Sequence, residues 1–324
     1  MVTSTWHRYI AHMDTTVIVM PNWIGDLLLA LSAVMNMPRE RLSSTTLLVP
    51  ESMSGLVGML SSVPVIPYNR KDRLKRRAAL DRIRASDFDS TYLLPYSFSS
   101  AWLAFQTGIP ERRGLSLDFR RPLLTDPLPG SLRDRSRHIL HEYSEILHVP
   151  YRSPESWTGA EVSPDPAFEG CVVFCPGARF GPAKRWPHFA GLAKMLPHEQ
   201  IVVLGTDEDR DVATEVVRVA GGRAIDLTGK TSLTGAAAIL AGARAVVSND
   251  SGLMHLAGFI GVPVVGIFGS TSPIWTRPLG NRTTVLVSDE TCSPCFQRTC
   301  RYGHYRCQEG IRPEVVASAL DLGR

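Results

Sequence analysis

A chain of 324 residues, 44% of them hydrophobic, can bury one or two full cores, and two domains are expected. Its 35 Lys+Arg against 31 Asp+Glu leave a net charge of +4, too mild a surplus to mark a nucleic-acid-binding protein. No apolar run reaches membrane-spanning length, since the longest, 256–269, is broken by Pro263, and residues 1–14 lack the apolar stretch of an export signal. Six cysteines in such a chain point to a reducing, cytoplasmic setting. Met13 is a second candidate start, with residues 1–12 expected as a disordered extension.

The first strand is expected at 15–21 (TTVIVMP), followed by the turn Asn22-Trp23-Ile24-Gly25-Asp26 and a Leu/Ala-rich helix over 27–37. Gly25 allows a tight turn that brings backbone near a ligand. Asp26 falls at a helix start and a strand's carboxyl end, where open α/β sheets place active groups. The plainer alternative makes it a helix cap. Strands at 45–49 and 63–67 flank a helix at 51–60. Segment 70–84 (RKDRLKRRAALDRIR) holds eight Lys/Arg and two Asp, with Leu74, Ala78, Leu80 and Ile83 as an apolar stripe. Such a charge run is either a solvated helix face or a patch for an anionic acceptor or membrane surface. A strand at 92–94, a helix at 97–107, a loop at 109–114 and a helix at 138–148 follow. The proline-punctuated stretch 150–166 reads as an interdomain linker.

The second half alternates strand and helix: strand 171–175, loop 176–187, helix 188–196, strand 200–204, helix 207–220, strand 224–227 and helix 233–241. Then comes 245–268, AVVSNDSGLMHLAGFIGVPVVGIF: strand, polar turn, helix ended by Gly261, strand. Every strand-to-helix loop of this series lies on one sheet edge. Loop 176–187 brings Gly177, Arg179, Lys184 and Arg185 to it, groups that suit a diphosphate, although neither GxxxxGK[ST] nor GxGxxG is present. Asp250, Ser251 and His255 stand where helix N–H groups attract anions. Their plainer alternatives are an N-cap and a satisfied core histidine. A final helix is expected over 312–322.

The segments PNWIGD at 21–26, PGARFGPAKRWP at 176–187, SNDSGLMHLAG at 248–258 and FGSTSP at 268–273, with a cysteine-rich tail, carry a resemblance. In their order and spacing the chain resembles the bacterial ADP-heptose:lipopolysaccharide heptosyltransferases of glycosyltransferase family 9, most closely the heptosyltransferase II type. The resemblance implies a GT-B fold, two Rossmann-like domains facing a cleft. It divides the chain into an acceptor domain over 13–157, a nucleotide-sugar domain over 158–310, and a C-terminal helix over 311–324 that crosses back to the first domain. It implies heptose transfer from ADP-heptose with inversion, without a metal or other cofactor, onto the heptosylated inner core of lipopolysaccharide. The enzyme would work in the cytoplasm with peripheral contact to the inner membrane.

Carried over by position, Asp26 matches the general base and Lys184 the residue that steadies the departing diphosphate. Gly177, Arg179, Asp250, Ser251, Gly252 and His255, with Asp207 or Glu208, match the donor site. Asn22, Trp23, Gly25, Arg70, Arg73 and Arg112 are the expected acceptor contacts. Arg179 and Phe180 depart from the hydroxyl residues found in first-type relatives, so Arg179 and backbone N–H groups are expected to share the diphosphate contacts. Cys292, Cys295, Cys300 and Cys307 fit either a zinc site or a loop of free or paired thiols. Two rival readings are a GT-B enzyme with another donor, an epimerase included, and a non-catalytic binding protein.

Overall fold

A computed structural model describes residues 15–320, so the extension expected over 1–12 and Met13 lie outside the described residues. Two six-stranded sheets, parallel throughout, organise the chain. The first comprises β1 (Thr16–Val19), β2 (Thr45–Pro50), β3 (Val65–Tyr68), β4 (Ser90–Leu93), β5 (Glu111–Leu115) and β6 (Asp126–Leu128), in the order β3-β2-β1-β4-β5-β6. The second comprises β7 (Val172–Cys175), β8 (Ile201–Val203), β9 (Ala224–Asp226), β10 (Ala245–Asn249), β11 (Val264–Phe268) and β12 (Thr283–Val287), in the order β12-β11-β10-β7-β8-β9. The central strands are buried along their whole length and mostly apolar, as they must be when helices cover both sheet faces.

Each sheet reverses direction once. After β3 the chain returns to the other side of β1, and after β9 it returns to the other side of β7. The strand pairs β1/β4 and β7/β10 therefore bound a crevice at their carboxyl ends, the place where such sheets bind ligands. The helix after β1 (Ile24–Met35) and the helix after β10 (Gly252–Ile260) pack on one another, and one core cluster, running from Leu27 to Phe259, spans both halves. The segment over 150–166 carries two short 3-10 turns and is tied to the second half. Trp157 and Ala160 both donate to the Phe259 carbonyl, at 2.7 and 3.0 Å, and Gly280 donates to Pro154 O at 2.8 Å.

Three expectations need correction, and two strands come in addition. Residues 111–115 are a strand, not a loop: Glu111-Arg112-Arg113-Gly114 looks polar, but Arg113 is buried, ion-paired with Asp126 and donating to the Ile146 and Glu145 carbonyls at 3.0 and 3.1 Å. Strands β6 and β12 add an edge to each sheet beyond the elements expected from the sequence. In the basic helix, now Arg73–Ala85, the buried face is Ala79, Leu80 and Ile83, whereas Leu74 is 80% exposed and Ala78 also faces water. Among the described residues the last helix, Pro313–Ala319, stays with the second domain rather than crossing back to the first, and 321–324 of the expected helix lie outside the described residues. Pro313–Ala319 packs on the helix Phe189–Met195, and Ile311, Val316 and Leu320 join the second domain's core.

The domain contact contains a titratable group. His138 is buried; its Nε2 donates to the Arg277 carbonyl at 3.1 Å and its Nδ1 accepts from Leu140 N–H at 3.3 Å. Burial pushes its pKa down to about 4, the hydrogen bond to Arg277 offsetting only part of that. The folded chain thus keeps His138 neutral while the unfolded chain protonates it near the ordinary value of about 6.5. Stability from this residue is intact above that value and is lost as pH falls towards 4. Urea unfolding at pH 7.5 and pH 5 should show a loss larger by about 2 kcal/mol in the native protein than in His138→Gln; equal losses would show that His138 titrates freely in the fold.

Candidate active site

On the first sheet, the chain leaves β1 through Pro21 and Asn22 and enters the helix at Ile24. Trp23 is the N-cap residue, in extended backbone and without a side-chain capping bond. Asp26 sits inside the first turn, not before it, and its carboxylate is not spent on capping. It is partly exposed. Its pKa is raised: burial is the dominant cause, the Asp250 charge adds to it, and the charges of His255, Lys184 and Arg133 pull the other way. A helix start alone would depress it; desolvation wins.

On the second sheet, loop 176–187 follows β7 and is held down by Asn249 at the end of β10. The Asn249 amide donates to Pro176 O at 2.6 Å, and its carbonyl accepts from Trp186 N–H at 3.0 Å. This places Lys184 on Asp250: Nζ lies 2.5 Å from Oδ2, with both side chains largely buried. Thr271 donates to the same oxygen at 2.5 Å. Burial would raise the Asp250 pKa, but the Lys184 ammonium and His255 hold it far below the usual carboxylate range. Neither cap alternative survives, because Asp250 is an ion-pair partner and Ser251, although the N-cap residue, makes no side-chain capping bond. His255 is buried with Nε2 3.8 Å from Asp250 Oδ1, and its Nδ1 has no hydrogen-bond partner among the described residues.

The two halves meet at their helix starts. A methyl group on Gly25 would stand 2.6 Å from His255 Cδ2, and one on Gly252 would stand 2.9 Å from Ile24 Cβ. Only glycine permits that approach at these two points. The Arg179 guanidinium lies 6.0 Å from the Trp23 ring, so the loop of one domain reaches the turn of the other. The structure thus brings together Asp26, Gly25, Trp23, Arg179, Lys184, Asp250, Gly252 and His255, which come from three separate stretches of the chain.

Other expected residues are placed differently. Asp207 and Glu208 lie at the same edge but are exposed, and Asp207 pairs with Arg210 at 2.5 Å. The buried acid there is Asp209, which no motif or spacing in the sequence distinguishes from its two acidic neighbours. It accepts from Thr206 N–H at 2.8 Å and pairs with Arg185 at 2.9 Å, and a methyl on Gly177 would meet its Oδ2 at 2.5 Å. Asp209 thereby fixes the loop that presents Lys184.

Arg70 and Arg73 are exposed beyond the carboxyl end of β3, on the Asp26 edge. Arg112 is not. It stands near the amino end of β5, and its guanidinium is occupied by the carbonyls of Leu123 (2.8 Å) and Ile109 (2.5 Å). A different arginine takes its place near the site. Arg133 influences the Asp26 carboxylate and lies over the Tyr96 and Trp275 rings at 4.7 and 5.7 Å. Those rings share Glu142, which accepts from Tyr96 Oη at 2.5 Å and from Trp275 Nε1 at 3.4 Å. Asn22 is exposed beside Trp23.

The cysteine-rich tail backs loop 176–187. Ala183 N–H donates to Arg298 O at 3.0 Å, Gln308 Nε2 to Ala183 O at 3.2 Å, and Trp186 Nε1 to Ile311 O at 2.7 Å. Cys292, Cys295, Cys300 and Cys307 are unbridged, and among the described residues no set of three or more His, Cys, Asp or Glu groups is gathered as a metal site.

A family model described as glycosyltransferase family 9 (heptosyltransferase) matches residues 76–306. Lipopolysaccharide heptosyltransferase 2 of Escherichia coli K12 is 30% identical over 94% of this chain and 97% of its own length. Lipooligosaccharide heptosyltransferase 2 of Haemophilus ducreyi is 28% identical, covering 94% and 97%. The solved structure of E. coli ADP-heptose LPS heptosyltransferase II superposes with a TM-score of 0.79 at 27% identity, covering 95% of this chain and 97% of that one. The chain belongs to glycosyltransferase family 9, is a glycosyltransferase, and has the GT-B fold.

Lys184→Met would leave the Asp250 carboxylate buried without its ammonium, and should cost about 3–5 kcal/mol in urea unfolding. Adding Asp250→Asn should restore most of it. An unchanged midpoint in the single variant would show that the pair is open in solution.

Proposed function

We propose that this enzyme moves L-glycero-D-manno-heptose from ADP-heptose to the heptosylated inner core of lipopolysaccharide, with inversion at the anomeric carbon, at the cytoplasmic face of the inner membrane. The observation that carries the reading is electrostatic: a largely desolvated carboxylate from one domain, Asp26, shares a field with the Lys184–Asp250–His255 group of the other. Heptosyltransferases of the second type are similar to this chain over nearly its full length, which supports the donor and acceptor assigned here.

Inversion needs an acceptor oxygen to attack the anomeric carbon from the face opposite ADP. Asp26 takes the proton from that hydroxyl as the new C–O bond forms, and the bond from carbon to diphosphate oxygen breaks. Burial raises the pKa of Asp26, which strengthens it as a base relative to an ordinary aspartate. Negative charge then grows on the departing diphosphate. Lys184 spends one of its three ammonium donors on Asp250 and keeps the others for phosphate oxygens. Arg179 adds a second cation, and the N–H groups at Ser251 and Gly252 open the helix whose dipole favours an anion. Gly177 keeps backbone close to the diphosphate, and the unpartnered His255 Nδ1 is free for the donor or for a bridging water. On the other side, Asn22, Trp23 and Gly25 form the turn that receives the acceptor sugar. Arg70 and Arg73 wait for its anionic groups.

Asp26→Asn should lower turnover by about 10²–10⁴-fold while leaving ADP-heptose affinity within a factor of about two. The acid limb of kcat/KM, which should lie above the ordinary aspartate range because burial raises the Asp26 pKa, should vanish in the same variant. The assay is ADP release with an acceptor carrying one heptose. Near-normal turnover of the purified variant would remove Asp26 from the role of base, and absence of ADP release by the native enzyme with every acceptor would remove the transferase reading.

A further inference from the structure

One face of the first domain has no use in the reaction above. The helix Phe98–Thr107 buries Ala101, Leu103 and Ala104 against its sheet, yet carries Phe98, Trp102 and Phe105 on the opposite side, each a little under half exposed. They form a continuous ridge: Phe98 and Trp102 stack at 6.4 Å and 10°, and Trp102 and Phe105 at 5.6 Å and 23°. Three large aromatic rings stacked on one another in water are not surface noise, because the same helix could have carried polar groups at no cost to its core.

Two further apolar side chains extend the ridge. Phe119 is 95% exposed, at the tip of a turn in which Asp118 and Phe119 both take left-handed backbone, with φ of 52° and 56°. That conformation costs energy in a non-glycine residue. The turn is fixed to the ridge, since Asp118 accepts the Phe98 N–H at 2.6 Å. Leu74, 80% exposed, opens the neighbouring basic helix, which packs on the ridge helix. Arg70 joins the two by reaching Ser99 Oγ at 3.4 Å.

Cations surround these apolar groups. Lys71, Arg76 and Arg121, which the reaction does not use, are exposed and make no ion pair among the described residues, and Arg70 and Arg73, assigned above to the acceptor, stand beside them equally unpaired. All but Arg76 lie in the turns after β3 and β5 or at the first residue of the following helix. Those are carboxyl-end positions of the first sheet, the edge that carries Asp26.

We propose that this face, Leu74, Phe98, Trp102, Phe105 and Phe119 with their ring of cations, seats the enzyme on an anionic lipid bilayer. Aromatic rings at the headgroup level and cations over acidic lipids are the two elements of interfacial binding. The charge decides between occupants. A second copy docked across a two-fold axis would oppose the same cations to one another, whereas an anionic bilayer neutralises them. The geometry has a consequence for the acceptor. Because Leu74, Phe98, Phe119 and four of the five cations lie at the edge that carries Asp26, with Phe105 towards the far edge beside Arg112, docking would turn the mouth of the site towards the membrane, where a lipid-anchored sugar is presented. That last step rests on the acceptor assigned above; the docking itself does not.

The full chain should sediment with vesicles of phosphatidylcholine containing about 30 mol% phosphatidylglycerol and leave pure phosphatidylcholine vesicles largely unbound. Trp102→Ser with Phe119→Ser should reduce binding to the anionic vesicles by at least about tenfold. Lys71→Ala and Arg76→Ala should each reduce it by about fivefold, a loss that added salt reproduces in the native protein. Transfer to a water-soluble, lipid-free acceptor should be unchanged in all these variants, which shows that they are folded. Equal binding of native and Trp102→Ser/Phe119→Ser protein, equal binding to neutral and anionic vesicles, or a stable dimer that disperses on Trp102→Ser/Phe119→Ser and never binds vesicles would each overturn the proposal. Failure of the transferase assay with every acceptor would sink the assigned reaction and leave the vesicle result standing.

Discussion

A buried ion pair, Lys184 on Asp250, is the contact that the rest of the site depends on. Two polar loops leave the adjacent strands β7 and β10 at the switch point of the second sheet, and such loops have no apolar reason to close on one another. The ammonium and carboxylate supply that reason, with Thr271 satisfying a further lone pair of the same oxygen. A pair this dry gains little net stability over an apolar substitute, but either partner alone would be costly. Its effect is positional: it pins Lys184 at the start of a helix and fixes Asp250 as a permanent negative charge. Asn249 beneath it and the tail behind it, through Arg298, Gln308 and Ile311, make the loop a rigid part of the domain.

That permanent charge sets up the other carboxylate. Asp26 and Asp250 feel one another, and their surroundings drive them apart. Asp250 is held ionised by a touching cation, whereas burial and the neighbouring Asp250 charge favour the neutral form of Asp26. Two carboxyl groups with opposed shifts in one place can divide structural and proton-accepting roles. The division requires the domains to be close, and glycine at 25 and 252 sets how close. The same proximity makes the domain contact sensitive to protonation, since His138, Glu142, Tyr96 and Trp275 lie in the adjoining seam.

The first domain has a different character. Its site residues are sparse, and its surface chemistry lies outside the crevice: stacked rings on one helix, cations on the next, and a strained turn that holds a phenyl group in water. The second domain is stiff and encloses its charges. One half therefore provides a carboxylate and an outward-facing surface, and the other provides a cradle of paired and unpaired cations.

The sequence by itself determined the alternation of strand and helix, the crevice loops and most of the residues that meet there. Apolar runs of four or five residues ending in Gly, Asp or Pro permit little else than strands with their turns at one sheet edge. It also marked Asp26, Lys184, Asp250 and His255, because polar groups in loops at the carboxyl ends of strands have no packing use. Tertiary structure decided what depends on partners distant in the chain. Strand β5 is polar by composition, and only Asp126 and two carbonyls make burial of Arg113 tolerable. Asp209 became the buried acid, in preference to Asp207 or Glu208, because its carboxylate alone meets Thr206 and Arg185. Arg112 fell on the far sheet edge by strand register, and the last helix stayed with the second domain because Ile311, Val316 and Leu320 find their cavity there. Leu74 is exposed for the same kind of reason: helical spacing alone fixes which residues share a stripe, and the neighbouring helix fixes which stripe is covered.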